Sequence, residues 1–237
     1  MPASDARTPT VRLRAWIDRE PVVAIGALLL VVADLALVLV HVVAVTRAVE
    51  SPFLRLDMDR SYAELFEYIK MIWSLVVLGL VAFAARSFAP IAWAPFLALL
   101  LLDNGWTLHE RVGSIAAERL GLSHDGGELA FVAVAYSLAA LPVLVAAIRV
   151  PDSRALHRRL AIAVAALLAF GVGGDLLHAV AIAFGGEPMQ RTAAIVEDGG
   201  ELVAFSLVLL ACATSLVAAR RRSQQVTQAS GAQTVDA

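Results

Sequence analysis

The stretches Asp125-Gly126-Gly127-Glu128-Leu129 and Asp198-Gly199-Gly200-Glu201-Leu202 are identical and lie 73 residues apart. Each leads into a long apolar run, where a carboxylate is expensive unless it has a partner or a task. Histidines and further acids recur in the same kind of place. Asp103 precedes His109 and Glu110, Asp175 precedes His178, and Asp34 precedes His41. Asp175 and His178 are three apart, so on a helix both side chains share a face. Asp34 and His41, seven apart, share one too. Carboxylates and imidazoles contributed by several helices are how bundles assemble metal sites. This ligand type suits a divalent zinc, iron or manganese ion, and a single cysteine, Cys212, rules out a thiolate set. The expected metal ligands are Asp103, His109, Asp175, His178 and Glu201. Glu110 and Glu128 are the expected catalytic carboxylates, one of them acting as general base on a metal-bound water. The absence of a His-Glu-x-x-His motif removes the common zinc-protease pattern.

The elements that must carry these residues are membrane helices. Of 237 residues, 59% are hydrophobic and only 17% charged, well below the quarter or so of a soluble domain. Six apolar runs are visible, at about 21–47, 62–85, 88–102, 128–149, 159–184 and 195–219. Five reach the roughly 20 residues needed to cross the hydrocarbon core. The third is shorter, but its helical pattern continues through Trp106 to Ala117 and reads as one helix leaving the membrane. The first is too long for a signal-peptide core and reads as an uncleaved span. The runs are rich in Leu, Ala and Val without strand alternation, which predicts an all-α integral membrane bundle of six transmembrane helices. Residues 1–20 form an N-terminal segment, 21–222 the transmembrane domain, and 223–237 a disordered tail rich in Gln, Ser and Thr.

Arginine sets the orientation. Arg7, Arg12, Arg14, Arg19, Arg86, Arg149, Arg154, Arg158, Arg159, Arg220, Arg221 and Arg222 fall on one side, and only six arginines fall on the other. The positive-inside rule places both termini in the cytoplasm and the His and carboxylate layer at the far side. The His41, His109 and His178 positions, 68 and 69 residues apart, and the paired acids opening each even helix predict three degenerate copies of a helical hairpin. A net charge of −2 is too small to suggest nucleic acid as a partner, and the expected partner is the lipid bilayer, with a lipid or small molecule as substrate.

Simpler roles compete for the same residues. Asp125, Asp198 and Glu64 suit helix N-caps, and the Gly-Gly pairs suit close helix packing. Lys70, the only lysine, suits an ion pair with Asp34 or Glu67. His124 and His157 read as solvated loop residues, and Cys212 as a small packing residue.

The run Leu102-Asp103-Asn104-Gly105-Trp106-Thr107-Leu108-His109-Glu110 resembles an L-D-[DE]-x4-H-E pattern. Uncharacterised bacterial multi-pass membrane proteins carry it together with a late E-D-x-x-E, as in Glu197-Asp198-Gly199-Gly200-Glu201. The resemblance implies a bacterial plasma membrane and no particular reaction. Asn104 stands where that pattern has a second acid. Two other functions use the same residues: a transporter or proton/cation conduit, and a haem protein ligated by two of the three histidines.

Overall fold

The computed structural model describes residues 17–49 and 51–233, without the side chains of a few residues in the last two helices, Asp175 and His178 among them. The main elements are α1 (Pro21–Thr46), α2 (Tyr62–Ala85), α3 (Ala94–Trp106), α4 (Leu108–Leu120), α5 (His124–Arg149), α6 (Arg154–Phe184) and α7 (Glu187–Gln233). Short 3-10 turns at Pro52–Leu54, Ile91–Trp93 and Pro151–Ser153 lie in the connections, and no strand occurs among the described residues.

Helix boundaries follow local chemistry. Ser61 caps α2, its Oγ accepting the Glu64 N–H at 3.2 Å, while the Glu64 carboxylate reaches back to the Arg60 N–H. This is a variant of the Ser-x-x-Glu capping box, with the carboxylate bonding the N–H one residue before the cap rather than that of Ser61 itself. Ser123 caps α5, accepting from the Gly126 N–H at 3.1 Å. The expected cap, Asp125, instead sits in the first turn, where the helix dipole favours it. Asp198 and its neighbours do not open a helix at all. α7 begins eleven residues before Asp198, at Glu187, because Gly185-Gly186 breaks the helix and Pro188 starts the new one in its first turn. α7 then continues to Gln233, into the segment 223–237.

The third run departs most from its expected form. The pattern through Ala117 is helical, but it belongs to two helices bent by 84°. Thr107 makes the corner with φ 47° and ψ 50°, a left-handed conformation costly for a β-branched residue.

Four segments, α1, α2, α5 and Pro188–Gln225 of α7, are each long and apolar enough to cross a membrane. The bent pair of α3 and α4 adds a fifth if taken together. α3 alone spans only about 20 Å at 1.5 Å per residue, short of a bilayer core. The burial pattern is inverted relative to a water-soluble bundle. α1 turns Val22, Ile25, Leu28, Leu29, Val32 and Leu35 outward, yet its few buried residues include Asp34 and His41. Such a continuous outward apolar face belongs in lipid.

α7 is the organising helix. It packs against α6 and α2, and α1 leans on it more than on α2. The main core lies between α2, α3, α5, α6 and α7, around Leu78, Trp93, Phe96, Leu160, Val208 and Cys212. The repeated Gly-Gly pairs act here. A Cβ at Gly127 would collide with the Gly113 carbonyl, and one at Gly113 would lie 2.6 Å from the Glu128 Cα, so α4 and α5 meet backbone to backbone. In the last hairpin a Cβ at Gly200 would strike the Phe170 ring.

The two ends of the bundle differ. At one, Arg221 of α7 pairs with Glu20, just before α1, at 2.8 Å. The ends of α2 and α5 and the starts of α3 and α6 lie at this arginine-rich end. At the other, the link after α1 folds back so that Leu56 N–H donates to His41 Nδ1 at 2.9 Å.

Candidate functional site

Asp103 closes the corner between α3 and α4. Its Oδ1 accepts the His109 backbone N–H at 2.7 Å and lies 2.9 Å from His109 Nδ1. Its Oδ2 accepts the Tyr136 hydroxyl of α5 at 2.8 Å. The first bond satisfies a free donor at the start of α4, which is why the chain holds a tight corner at Thr107. A carboxylate can only accept, so Nδ1 of His109 carries the proton and Nε2 keeps its lone pair. The carboxylate is buried while the His109 ring stays 38% exposed. A buried carboxylate that fixes an imidazole tautomer and leaves the other nitrogen's lone pair free is how histidine metal ligands and histidine general bases are held.

The start of α2 abuts this corner. The Tyr68 hydroxyl bonds the Glu64 carboxylate and lies 3.1 Å from the Asn104 carbonyl. Its ring rests over Gly105, where a Cβ would sit 3.8 Å from Tyr68 Cζ.

Deeper in the bundle, Lys70 Nζ donates to Asp34 Oδ1 at 3.1 Å, to the Leu202 carbonyl, and to Ser206 Oγ at 3.3 Å. Ser206 Oγ in turn donates to Asp34 Oδ2 at 2.6 Å. All three ammonium donors are used, and Lys70 is only 1% exposed. The ion pair anticipated for Lys70 therefore forms with Asp34. Glu67, one turn away and also buried, sits within the fields of Lys70, Glu64, Asp198 and Glu201.

The remaining residues named from the sequence are placed as follows. Glu110 is exposed in the first turn of α4. Glu128 pairs with His124 Nε2 at 3.0 Å, with its backbone against Gly113. Glu201 packs over Gly171 of α6, as Glu197 does over Gly174. Asp175 and His178 lie on α6, their side chains outside the described residues. Among the described residues, no group of three or more His, Cys, Asp or Glu side chains stands close enough to hold a metal ion.

The other histidines differ from one another. His41 is buried and accepts at Nδ1, so its proton is on Nε2 and it offers no outward lone pair. Asp57 lies 3.7 Å from the same nitrogen. A hydrogen bond from Arg55, with Nε 2.9 Å from Oδ1, holds the Asp57 carboxyl below the usual carboxylate range. His124 opens α5 and is exposed. His157, expected in a solvated loop, is buried in the first turn of α6, because Trp93 of the 3-10 turn packs over it and donates Nε1–H to its Nδ1 at 2.9 Å.

Tyr136, Tyr68 and Ser206 were not anticipated. Tyr136 is eight residues after Glu128, on the same face of α5, and that spacing is the sequence signal that marks it. Ser206 had only its polarity within an apolar run to mark it.

No curated protein and no solved structure matches the chain. Residues 22–216 match the family described as Domain of unknown function (DUF8692), and the chain belongs to that family.

Proposed function

We propose that the chain is a six-pass protein of the bacterial plasma membrane, both termini cytoplasmic, that performs metal-assisted chemistry at its outer end through His109. One observation carries this reading: Asp103 fixes the His109 tautomer and leaves an exposed Nε2 lone pair. The sixth pass is α6, whose 31 residues extend about 46 Å, ample for a bilayer. The three-hairpin repeat draws support from the shared use of Gly127 and Gly200 as close-packing positions. In this reading a divalent zinc, iron or manganese ion binds His109 Nε2, with Asp175, His178 and Glu201 as the other ligands and Asp103 buttressing the imidazole. Such an ion lowers the pKa of a bound water, and Glu110 or Glu128 would take its proton during hydrolysis of a lipid or small molecule at the outer leaflet.

The test is metal analysis of the purified protein beside H109A and H178A, with titration of zinc, iron(II) and manganese(II) followed by thermal stability. Metal in the wild type and its loss in both variants supports the proposal. Absence of metal, with no stabilisation by any of the three ions, removes it.

A second reading, a proton or cation conduit, is favoured by Glu67. This buried carboxylate lies between the Lys70 network and the acids of α7. Intramembrane carboxylate chains mark such paths. In proteoliposomes, E67Q should then abolish a proton or cation flux that H109A leaves intact.

A further inference from the structure

At the arginine-rich end a cavity of about 480 Å³ opens between the end of α2, the start of α6 and the C-terminal half of α7. Arg86, Arg159 and Arg222 line it, one from each of these three places, and Asp152 is its only acid. Two arginines outside this cavity have carboxylate partners, Arg55 with Asp57 and Arg221 with Glu20. Among the described residues no carboxylate lies within salt-bridge distance of Arg86, Arg159 or Arg222. The positive end of α6 also faces this space. Ser153, its N-cap, turns its hydroxyl to the Val150 carbonyl at 2.6 Å and so leaves the first amides of the helix uncapped by a side chain. Arg86 holds a left-handed conformation with φ 48°, which glycine would adopt without strain.

Three guanidinium groups, a helix N-terminus and one acid make a cavity with excess positive charge. Guanidinium forks match the oxygens of a phosphate. Phe83 and Phe88, which flank Arg86 in the chain, are exposed. We infer that this cavity binds a phosphate group through Arg86, Arg159 and Arg222, with the headgroup of an anionic phospholipid as its source. Basic pockets between membrane helices recognise such headgroups, and exposed aromatic residues close to Arg86 in the chain suit contact with lipid. The inference concerns the opposite end of the bundle from His109 and does not depend on a metal there.

The experiment uses delipidated full-length protein in a neutral detergent, probed with phosphatidylglycerol, phosphatidylcholine, glycerol 3-phosphate and inorganic phosphate. Thermal stability and lipid retention in native mass spectrometry are the readouts. Phosphatidylglycerol should stabilise the protein and phosphatidylcholine should not. Each of R159Q and R222Q should weaken phosphatidylglycerol binding about fivefold. R86G should weaken it similarly while keeping or raising basal stability, so a lost response cannot be ascribed to misfolding. H109A should respond as the wild type. If glycerol 3-phosphate or inorganic phosphate reproduces the effect and the same variants abolish it, the phosphate site stands and its source is soluble. The inference is overturned if no phosphate-bearing probe stabilises the protein, if both lipids act alike, or if R159Q/R222Q binds as tightly as the wild type.

Discussion

Asp34 and Lys70 are 36 residues apart in the chain, and their charged atoms meet at 3.1 Å in a place where neither side chain sees solvent. Removing one partner strands the other charge. K70M is therefore expected to destabilise the protein by about 3–5 kcal/mol, and D34L by a similar amount. The double variant should recover much of that loss, since it leaves no buried charge. Chemical unfolding of all four proteins gives the coupling, and additive losses would show that the pair does not interact.

The two glycines of each Asp-Gly-Gly-Glu repeat should respond unequally to alanine. At Gly127 and Gly200 a Cβ meets backbone or an aromatic ring, whereas at Gly199 its nearest neighbour is Val38 Cγ2 at 3.5 Å, an ordinary contact. G127A and G200A should each lose about 1–3 kcal/mol through overpacking. G199A should be neutral or slightly stabilising, because alanine favours the helix. Thermal melts of the three variants settle the comparison, and a G199A as damaged as G200A would contradict it.

Asp103 holds the corner through three bonds and Tyr136 through one. Y136F should cost about 1.5–3 kcal/mol, the scale of a hydrogen bond to a charged group. D103A should also release the start of α4. Hydrogen exchange across 108–120 would then accelerate in D103A but not in Y136F. Equal protection in both would mean that Asp103 is not what holds the bend.

Acid should act through Asp57. Its carboxyl titrates below its unfolded value because Arg55 bonds the charged form. A depressed folded value contributes stability that is present above about pH 4 and is lost as pH falls through the folded value. The wild type should therefore exceed D57N in stability near neutrality, and the difference should shrink below about pH 4. A constant difference across that range would rule the mechanism out.

The Trp93–His157 contact gives a fifth expectation. Trp93 donates to Nδ1, so the buried Nε2 of His157 carries a proton without a partner among the described residues. H157F leaves the indole N–H unsatisfied and should cost about 1–3 kcal/mol. W93F/H157F should recover part of it. A double variant no better than H157F in thermal melts would count against the bond.

How far these features were legible depends on whether they are local. The apolar runs mark α1, α2 and α5 to within a few residues, since hydrocarbon length and caps are local constraints. The Lys70 ion pair was legible because a lone lysine in an apolar run must find an acid, and only two acids were near enough in pattern. The corner at Thr107 was not legible, because residues 94–120 keep helical periodicity through it. Only the Asp103 side chain, bonding forward across the turn, reveals that the axis changes. The start of α7 was misjudged for a related reason. Polar residues 187–194 looked like a loop, yet they continue a helix that Pro188 can begin. The burial of His157 was invisible because its cover, Trp93, is 64 residues away. For Asp103, His109 and the acids of α7, residue type and end of the bundle were legible. Which side chains stand close together is a property of helix packing that sequence spacing does not carry.

The bond from Ser206 to Asp34 spans 172 residues, and that from Arg221 to Arg19 spans 202. Chain order therefore dictates an order of assembly. Asp34 is synthesised before both partners, gains Lys70 when α2 follows, and must then wait until Ser206, 172 residues after it, arrives. α7, made long after α1, is the helix that seats it. Until then α1 is held mainly by one ion pair and by lipid, so a chain cut short before Ser206 presents an incomplete bundle with its first helix loosely attached. Quality control that recognises unassembled polar residues within the bilayer would find Asp34 as its handle.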